Sequence, residues 1–361
     1  MFRQCLGYPD TQLYCKGWTA RHILPRQPPL SRTAEPQNMP NPSIVWALHD
    51  GKPGMASQVM GLAEALNLPF VEKRLAVRAP WRSLPPQFWL RPLAALGDDG
   101  DRLEPPWPDI LIGCGRNTVA PALAVKRASG GATFWVQIQD PHFARERIDL
   151  MVVPVHDRGE GPNVIHTIGA VHRVTPEKLA LESTRFAYLF GELPRPLVAV
   201  LLGGSNRAYR VTRSRAKSFA AQLVTLADRG YGIAITPSRR TAPEIVALLR
   251  ERLAGRRAFI WDGSGDNPYF GLLGSADAIV ATADSVSMIS EAAATGKPVH
   301  VVDLDGGSAK FDRFHEAMRA AAVTRPFAGT IEQWRYDPPD DTARAAAEIK
   351  RRLALRLDKA A

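Results

Sequence analysis

The stretch ADAIVATADSVSMISEAAATGKPVHVVD, residues 276–303, predicts a strand, a loop, a helix and a second strand in succession. Its apolar residues 278–280 are typical of a short buried strand, and residues 299–302 are apolar except for one histidine. Strands that are apolar without alternation occur in parallel sheets, which are covered on both faces. A helix between two such strands predicts a parallel β-α-β unit.

The helix inside this stretch has clear predicted ends. Asp284 or Ser285 can accept hydrogen bonds from the first free amides, whereas Gly296 and Pro298 end the helix. The amides at a helix start also form a ready site for an anion. One carboxylate, Glu291, lies among alanines about two turns into the helix. The sequence therefore predicts an anion site with an acidic residue nearby.

The same succession recurs along the chain. Strand 43–48 is followed by the glycine-containing loop 49–54 and a helix over 55–66. Further strands are predicted at 109–113, 133–138, 150–155, 197–202, 232–236 and 258–261. Polar and glycine residues follow most of these strands, as they do at the ligand crevice of an open parallel sheet. We predict an α/β fold with two such sheets.

Composition limits the class of protein. The chain has 361 residues, 45% of them hydrophobic, and a formal net charge of +10. This length and composition support two folded domains and exclude global disorder. The charge favours an anionic partner, although an Arg-rich composition without special function stays open. The cysteines, Cys5, Cys15 and Cys114, lack metal-ligand spacing and indicate a reduced compartment. No apolar run predicts a membrane span or a secretory signal.

Residues 1–42 are rich in proline, glutamine, arginine and serine and predict a disordered tail. Met39 directly precedes the first orderly segment, so it is an alternative start to Met1. A mitochondrial transit peptide also stays open, since basic residues exceed acidic ones. The many prolines oppose the amphipathic helix that such a peptide needs.

The loop Gly203-Gly204-Ser205-Asn206 is the main candidate for binding a phosphate. We expect it to open a helix that runs to about residue 229, with its amides facing the anion. Cations crowd the predicted helix start, where they oppose the helix dipole unless an anion is bound. They are Arg207, Arg210, Arg213, Arg215 and Lys217. A solvated cationic face is the alternative.

Other residues extend this candidate site. Ser238 and Arg239 follow a predicted strand, and Ser285 and Ser287 lie at the start of the helix in 276–303. Hydroxyl and amide groups at these positions suit phosphate oxygens. Glu291 suits the two hydroxyls of a ribose, a role that acidic residues have in other nucleotide sites, although a surface glutamate is the simpler interpretation.

Candidates for acid–base chemistry lie after the first strand, where His49 and its neighbour Asp50 are the best base candidates. Asp303 and Asp305 resemble a metal-binding pair, but they have no third ligand and we interpret them as turn residues. We predict no metal and no cofactor. No P-loop, Gly-x-Ser-x-Gly or nucleic-acid-binding motif is present, so we do not predict a nucleic-acid partner.

Several segments carry a resemblance to a known family. They are ALHDGKPGMASQVMGLAEAL (47–66), GCGRNTVAPALAVKR (113–127), QIQDPH (137–142), LLGGSNRAYR (201–210) and the stretch quoted first. Over residues 43–327 the chain resembles the mitochondrial-fission family named for elongated plant mitochondria. More distantly, it is similar to the peptidoglycan N-acetylglucosaminyltransferase group of two-domain glycosyltransferases.

The resemblance implies a GT-B-like fold, with two Rossmann-like domains facing a cleft and a C-terminal helix that crosses back. The implied domains are 43–190 on the acceptor side, 191–330 for the nucleotide-sugar, and a helical segment 331–361. It places a ribose on Glu291 and a phosphate on the loop that begins at Gly203. The expected acceptor side comprises Gly51, Gly54, Met55, Arg116, Gln139, Asp140 and His142.

One position departs from the transferase pattern, because Met55 stands where that group presents a histidine. A methionine cannot take a proton. His49 or Asp50 substitutes for it, or the reaction differs, or transfer has been lost.

Three functional hypotheses follow. The first is a metal-independent glycosyltransferase-like protein that binds a nucleotide-diphosphate sugar. The second is a non-enzymatic scaffold of the mitochondrial-fission family with a vestigial cleft, and the third, weaker one is a nucleotide-sugar epimerase. We expect a cytoplasmic protein, with an anionic membrane surface as a second partner. The oligomeric state is not predicted.

Overall fold

The computed structural model describes residues 44–358. The predicted tail 1–42, the choice between Met1 and Met39, and two of the cysteines therefore lie outside the described residues. The strands are β1 (Val45–His49), β2 (Phe70–Arg74), β3 (Ile110–Cys114), β4 (Phe134–Ile138), β5 (Leu150–Pro154), β6 (Val164–Thr167), β7 (Leu197–Leu202), β8 (Tyr209–Arg210), β9 (Gly232–Pro237), β10 (Ala258–Ile260), β11 (Ala278–Thr282), β12 (Val299–Val302), β13 (Asp305–Gly306) and β14 (Thr324–Pro326). The helices are α1 (Pro53–Ala65), α2 (Arg116–Ala128), α3 (Pro176–Arg185), α4 (Ala187–Phe190), α5 (Arg213–Asp228), α6 (Pro243–Arg252), α7 (Tyr269–Ser275), α8 (Val286–Ala293), α9 (Ala309–Ala320) and α10 (Asp341–Asp358).

Twelve of these strands form two parallel sheets of six strands each. The first sheet has the order β2-β1-β3-β4-β5-β6, and the second has the order β10-β9-β7-β11-β12-β14. Every residue of β1, β3, β4, β5, β7 and β11 is buried, because helices cover both faces. The predicted α/β class with two Rossmann-like sheets is confirmed.

The strand order sets the position of the ligand crevices. The chain winds in one direction from β1 to β2 and in the other from β1 to β3, and β7 has the same relation to β9 and β11. Loops that leave such a pair of strands diverge to opposite faces and open a crevice at their carboxyl ends. Each sheet therefore has one crevice, next to β1 and β3 or next to β7 and β11.

The C-terminal helix returns to the first sheet, as predicted. Ala345 and Ile349 of α10 are fully buried in the same core as α1. At the start of α10, the Asp341 carboxylate accepts hydrogen bonds from the amides of Ile168, at 2.8 Å, and Gly169, at 3.0 Å. These contacts fasten the chain end to the loop after β6.

The connection between the sheets packs on the second one. Glycines on α7 allow α3 to approach closely, since a Cβ on Gly271 or Gly274 would lie 2.8 or 2.5 Å from carbonyl oxygens of α3. Phe186 and Phe190 are buried in the same core. This segment precedes the predicted boundary at residue 190, and the predicted domain ranges stay a prediction.

Two of the differences from the expected elements bear on the crevices. Strand β2, FVEKR, was not predicted because it lies at the sheet edge, and its polar residues are largely exposed there. The prediction that the loop 203–206 opens a helix is wrong, because α5 begins only at Arg213. The Thr212 hydroxyl caps this helix by accepting a hydrogen bond from the Arg215 amide. Asn206 turns the chain first by accepting from the Tyr209 amide at 2.8 Å.

Within residues 44–358, no helix is both long enough and apolar enough to cross a membrane.

Candidate functional site

Asp284 lies in the crevice between β7 and β11. Its carboxylate accepts from the Gly204 amide at 3.1 Å, the Thr282 hydroxyl at 2.7 Å and the Arg240 guanidinium at 2.6 Å. Burial raises the pKa of Asp284, and these hydrogen bonds oppose that shift by stabilising the charged form. The chain's own carboxylate therefore takes the amide that we expected to bind a phosphate.

The two glycines of this loop have a packing role. A Cβ on Gly203 would lie 2.0 Å from an Asp284 carboxylate oxygen, and one on Gly204 would lie 2.0 Å from the Arg240 carbonyl oxygen. The Gly203 amide donates to the Thr282 hydroxyl at 2.8 Å. Phosphate binding by these amides stays a prediction, and it requires Asp284 to move.

The other predicted phosphate ligands divide into two groups. The Ser205 hydroxyl accepts from the Val211 amide at 3.0 Å, and the Ser238 hydroxyl accepts from the amide two residues on at 3.2 Å, so both stabilise turns. Asn206 is used in the turn described above. Arg207 and Arg239, in contrast, are exposed next to the crevice and are able to meet an anion from solvent.

Helix α8 begins where the sequence predicted, and Ser285 rather than Asp284 caps it, accepting from the Met288 amide at 3.3 Å. Its first turn faces the first turn of α1: a Cβ on Gly54 would lie 3.1 Å from the Ser287 hydroxyl. The starts of α1 and α8 are thus in close approach between the two sheets.

Glu291 is buried at this junction and is only 6% exposed. One carboxylate oxygen accepts from the Ser57 hydroxyl of α1 at 2.6 Å, and the other accepts from the Tyr269 hydroxyl of α7 at 2.6 Å. Burial raises the pKa of Glu291, and the two hydroxyl groups partly offset that shift. The carboxylate therefore holds two hydroxyls, one on each oxygen, and one of them comes from the other sheet's helix.

His49 is only 3% exposed, and both ring nitrogens are engaged. The Gly51 amide donates to Nδ1 at 3.1 Å, so Nδ1 is the acceptor and Nε2 donates to the Glu72 carboxylate at 2.7 Å. This arrangement holds the loop after β1 and leaves the ring without a free basic nitrogen.

Asp50 lies on the wall of a cavity of about 530 Å³ in the crevice between β1 and β3. One oxygen accepts from the Lys52 ammonium and from the Asn117 side chain, the latter at 3.0 Å. The other oxygen, Oδ1, is buried without a partner among the described residues. The cavity is lined by Asp50, Lys52, Arg74, Leu75, Ala76, Val77, Arg82, Asp99, Arg116 and Asn117.

Met55 packs over the carboxyl ends of β3 and β4. Its sulfur lies 3.1 Å from the Cys114 sulfur and 3.8 Å from the Gln139 amide nitrogen. Burial raises the pKa of the Cys114 thiol far above its usual range, so the thiol stays neutral. Two uncharged side chains in contact, Met55 and Cys114, therefore occupy the position at which the transferases have a histidine.

The remaining predicted acceptor residues lie beyond this pair. The Asp140 carboxylate is buried, accepts from the His142 amide at 2.8 Å and lies 3.4 Å from Arg145. The His142 side chain is exposed. Asp140 thus stabilises its own turn, away from the cavity that Arg116 lines.

The suspected metal pair forms other contacts. Asp305 accepts from the Thr212 hydroxyl at 2.5 Å and from Arg215 at 3.2 Å, which ties β13 to the start of α5. In the described part of the chain, no cluster of three or more histidine, cysteine or acidic residues could hold a metal ion.

Sequence reasoning did not assign several residues of the two crevices and of the junction at Glu291 to a site: Ser57, Tyr269, Arg240, Lys52, Arg74, Arg82, Asn117 and Asp284, the last of which was expected only as a helix cap. Lys52 and Asn117 follow strands β1 and β3, so their positions carried a usable signal. Tyr269 and Arg82 lie on segments whose contacts depend on tertiary packing, and no local pattern marks them.

Comparisons with known proteins bear on this arrangement. The model of the mitochondrial fission ELM1 family matches residues 53–353. The mitochondrial fission protein ELM1 of Arabidopsis thaliana is 34% identical over an alignment of 276 residues that covers 69% of this chain and 65% of that protein. This chain thus spans slightly less than two thirds of the plant protein. An uncharacterized protein, RP120, of Rickettsia prowazekii (strain Madrid E) is 27% identical over 360 residues, covering 87% of this chain and 99% of that protein.

Solved structures show the same fold. A UDP-GlcNAc 2-epimerase from Methanocaldococcus jannaschii aligns with a TM-score of 0.51 and 11% identity, over 86% of this chain and 99% of that one. A structure of the epimerase from that organism in complex with UDP-GlcNAc and UDP aligns with a TM-score of 0.50 and 13% identity, over 87% and 99% of the two chains. At this identity the likeness concerns the fold alone.

Proposed function

The chain belongs to the mitochondrial fission ELM1 family, and from that premise we propose that it is a metal-independent, glycosyltransferase-like protein that binds a nucleotide-diphosphate sugar between its two sheets. The donor would lie on the second sheet, against α8, and the acceptor on the first sheet, against the loop after β1.

The paired hydroxyls on Glu291 carry this proposal. A carboxylate that accepts one hydroxyl on each oxygen, at 2.6 Å in both cases, has the hydrogen-bonding capacity that the two hydroxyls of a ribose would use. Ser57 and Tyr269 hold the places of those hydroxyls. Since Ser57 belongs to α1, binding of a nucleotide would move α1 away from α8.

Positive charge near the crevice would balance the diphosphate. Arg207 and Arg239 are exposed on the loops after β7 and β9, and guanidinium groups suit phosphate oxygens. The start of α8 adds its free amides. In transfer, an acceptor hydroxyl would attack the anomeric carbon, the bond to the diphosphate would break, and Asp50 would take the proton because His49 has no free nitrogen.

The scaffold hypothesis is supported by a different observation. Asp284 already neutralises Arg240 and occupies the Gly204 amide, and Met55 lies where a base would be expected. A cleft whose polar groups are satisfied by the chain itself needs no ligand for stability. In that case the protein would act by contact with partners, as a cytoplasmic protein at an anionic membrane surface.

Calorimetric titration with a panel of uridine and guanosine diphosphate sugars tests the proposal. Glu291→Gln keeps the size of the side chain but weakens the ribose contact, so affinity should fall about tenfold or more. Ser57→Ala removes the competing hydroxyl, so affinity should rise by several-fold. Glu244→Gln, at an exposed position on α6, is the matched control and should change nothing.

The outcomes separate the hypotheses. If no donor binds the wild-type protein or the Ser57→Ala variant, the transferase proposal fails and the scaffold remains. Binding without release of the sugar would indicate a vestigial site. Conversion of the donor into its epimer, followed by NMR, would favour the epimerase.

A further inference from the structure

The cavity in the crevice of the first sheet is strongly cationic. Four basic side chains line it, Lys52, Arg74, Arg82 and Arg116, against two carboxylates. Asp50 is already paired with Lys52. The wall therefore has excess positive charge, and like charges held together in a folded protein disfavour one another unless an anion or solvent separates them.

Two guanidinium groups of this wall have no acidic partner among the described residues. In the described part of the chain, no carboxylate lies within 4.0 Å of the guanidinium groups of Arg74 or Arg82. Arg116 donates to the Arg82 carbonyl oxygen at 3.0 Å, which aligns the two residues on one side of the cavity. One planar guanidinium group can donate two parallel hydrogen bonds to two phosphate oxygens, a geometry that an ammonium group lacks.

The backbone adds to this preference. Helix α2 has 13 residues and begins at Arg116, on the cavity wall. No side chain caps its first amides, and no acidic residue lies in its first turn. The positive end of the helix therefore adds to the positive charge of the wall, where Asp50, which accepts from the Asn117 side chain of the first turn at 3.0 Å, supplies one negative charge.

We propose that this cavity binds the phosphate or diphosphate group of an organic ligand, separately from the nucleotide site on the second sheet. Its volume of about 530 Å³ is within the range of pockets for small organic ligands. The apolar residues Leu75 and Val77 on the same wall would contact the organic part. If the ligand of this cavity is the acceptor, an assignment that rests on the proposed function, then the acceptor is a phosphate ester.

Isothermal titration with inorganic pyrophosphate tests the site directly. The double variant Arg74→Gln/Arg82→Gln should weaken binding by about tenfold or more, because two charge-assisted contacts are lost. Arg78→Gln is the matched control: it lies on the same connection, pairs with Asp98 at 3.2 Å and does not line the cavity, so affinity should be unchanged. Thermal unfolding of each variant checks that the fold is intact.

A second pair of variants separates the two sites. Arg207 and Glu291 do not line the cavity, so the pyrophosphate binding that the double variant weakens should persist in Arg207→Gln and in Glu291→Gln. If Arg207→Gln abolishes pyrophosphate binding and the double variant does not, the anion binds at the second sheet and the cavity proposal is overturned. Loss of nucleotide-sugar binding with pyrophosphate binding retained would instead overturn only the proposed function.

The source of the phosphate is distinguished by a third measurement. Co-sedimentation with phosphatidylcholine vesicles, with and without phosphatidic acid, is compared with titration of glycerol 3-phosphate. Binding of glycerol 3-phosphate alone indicates a soluble ester, whereas binding of the acidic vesicles alone, lost in the double variant, indicates a lipid headgroup. If neither binds and pyrophosphate does not bind either, the proposal is wrong.

Discussion

The crevices of the two sheets occupy the same topological position but differ in what fills them. Next to β7 and β11, Asp284 satisfies the Gly204 amide and Arg240 within the chain. Next to β1 and β3, basic side chains surround a cavity of about 530 Å³. The fold thus provides two equivalent places for a ligand, and the side chains decide which of them is open. The comparison predicts that changes at the second crevice cost stability, whereas changes at the first alter binding.

The largest effect is expected for Gly204→Ala. The new Cβ would lie 2.0 Å from the Arg240 carbonyl oxygen, which is backbone and cannot move aside alone. We expect the free energy of unfolding to fall by about 3 kcal/mol or more, as for severe overpacking. Chemical denaturation measures this.

Gly54→Ala is the control for this experiment, since its Cβ would meet the Ser287 side chain, with the hydroxyl at 3.1 Å and the Cβ at an ordinary contact distance of 3.8 Å. A hydroxyl can rotate away, so the change should stay within about 1 kcal/mol. Equal stability of the two variants would show that the loop after β7 is not packed as described.

Asp284→Ala should have the next largest effect. It leaves the Gly204 amide and the Thr282 hydroxyl without their acceptor and separates a pair in which Asp284 is fully buried and Arg240 is about half exposed. We expect a loss of about 2–3 kcal/mol, less than for a pair buried on both sides. Denaturant unfolding of Asp305→Ala, whose pair with Arg215 is exposed on both sides, should show a much smaller loss. An Asp284→Ala variant as stable as the wild-type protein would contradict the conclusion that Asp284 satisfies the polar groups of this crevice.

Two buried histidines should make the stability of the fold sensitive to acid. Burial lowers the pKa of both His156 and His172 to about 4. His156 lies against α9, where its carbonyl oxygen accepts from Arg313 at 2.9 Å, and the His172 amide donates to Thr342 at 3.0 Å. Both rings are neutral in the folded protein above pH 4.

The sign follows from proton uptake. Unfolded histidine takes its proton near pH 6.5, so between pH 6.5 and 4 the unfolded chain binds more protons than the folded one. The contribution of these two histidines to stability should therefore be constant above about pH 6.5 and fall on acidification, by on the order of 2 kcal/mol for each histidine at pH 5. Denaturant unfolding at several pH values measures the slope. His172→Gln should reduce it, whereas the exposed His142→Gln should not, and an unchanged slope in His172→Gln would argue against the buried neutral ring.

Local sequence predicted much of the fold. The apolar runs of β7 and β11 and the cap at Ser285 are local properties, because strand burial and helix caps depend on residues close in the chain. Strand β2 was not predicted, because its polar residues form no local pattern that is typical of a strand. It becomes a strand only through its pairing with β1.

The candidate site was predicted less completely. Glu291 was predicted as a site residue from its position within a capped helix, and Asp50 from its position after a strand. The structure places Glu291 at the junction of α1 and α8 and Asp50 on the cavity wall. Their partners could not be predicted, because Ser57 is 234 residues from Glu291 in the chain. The loop at Gly203 has the glycines of a phosphate site, yet those glycines make room for Asp284.

The sequence by itself determined the succession of apolar strands and capped helices and the residue types that follow the strands, since these depend on apolar runs and helix caps. The strand order, and with it the place of each crevice, came from the tertiary structure. Only the tertiary structure decided which crevice is open. A crevice is filled when a carboxylate of the chain, such as Asp284, accepts hydrogen bonds from its amides and guanidinium groups. It is open when no carboxylate lies close enough to do so. Distances of this kind are set by the packing of segments far apart in the chain.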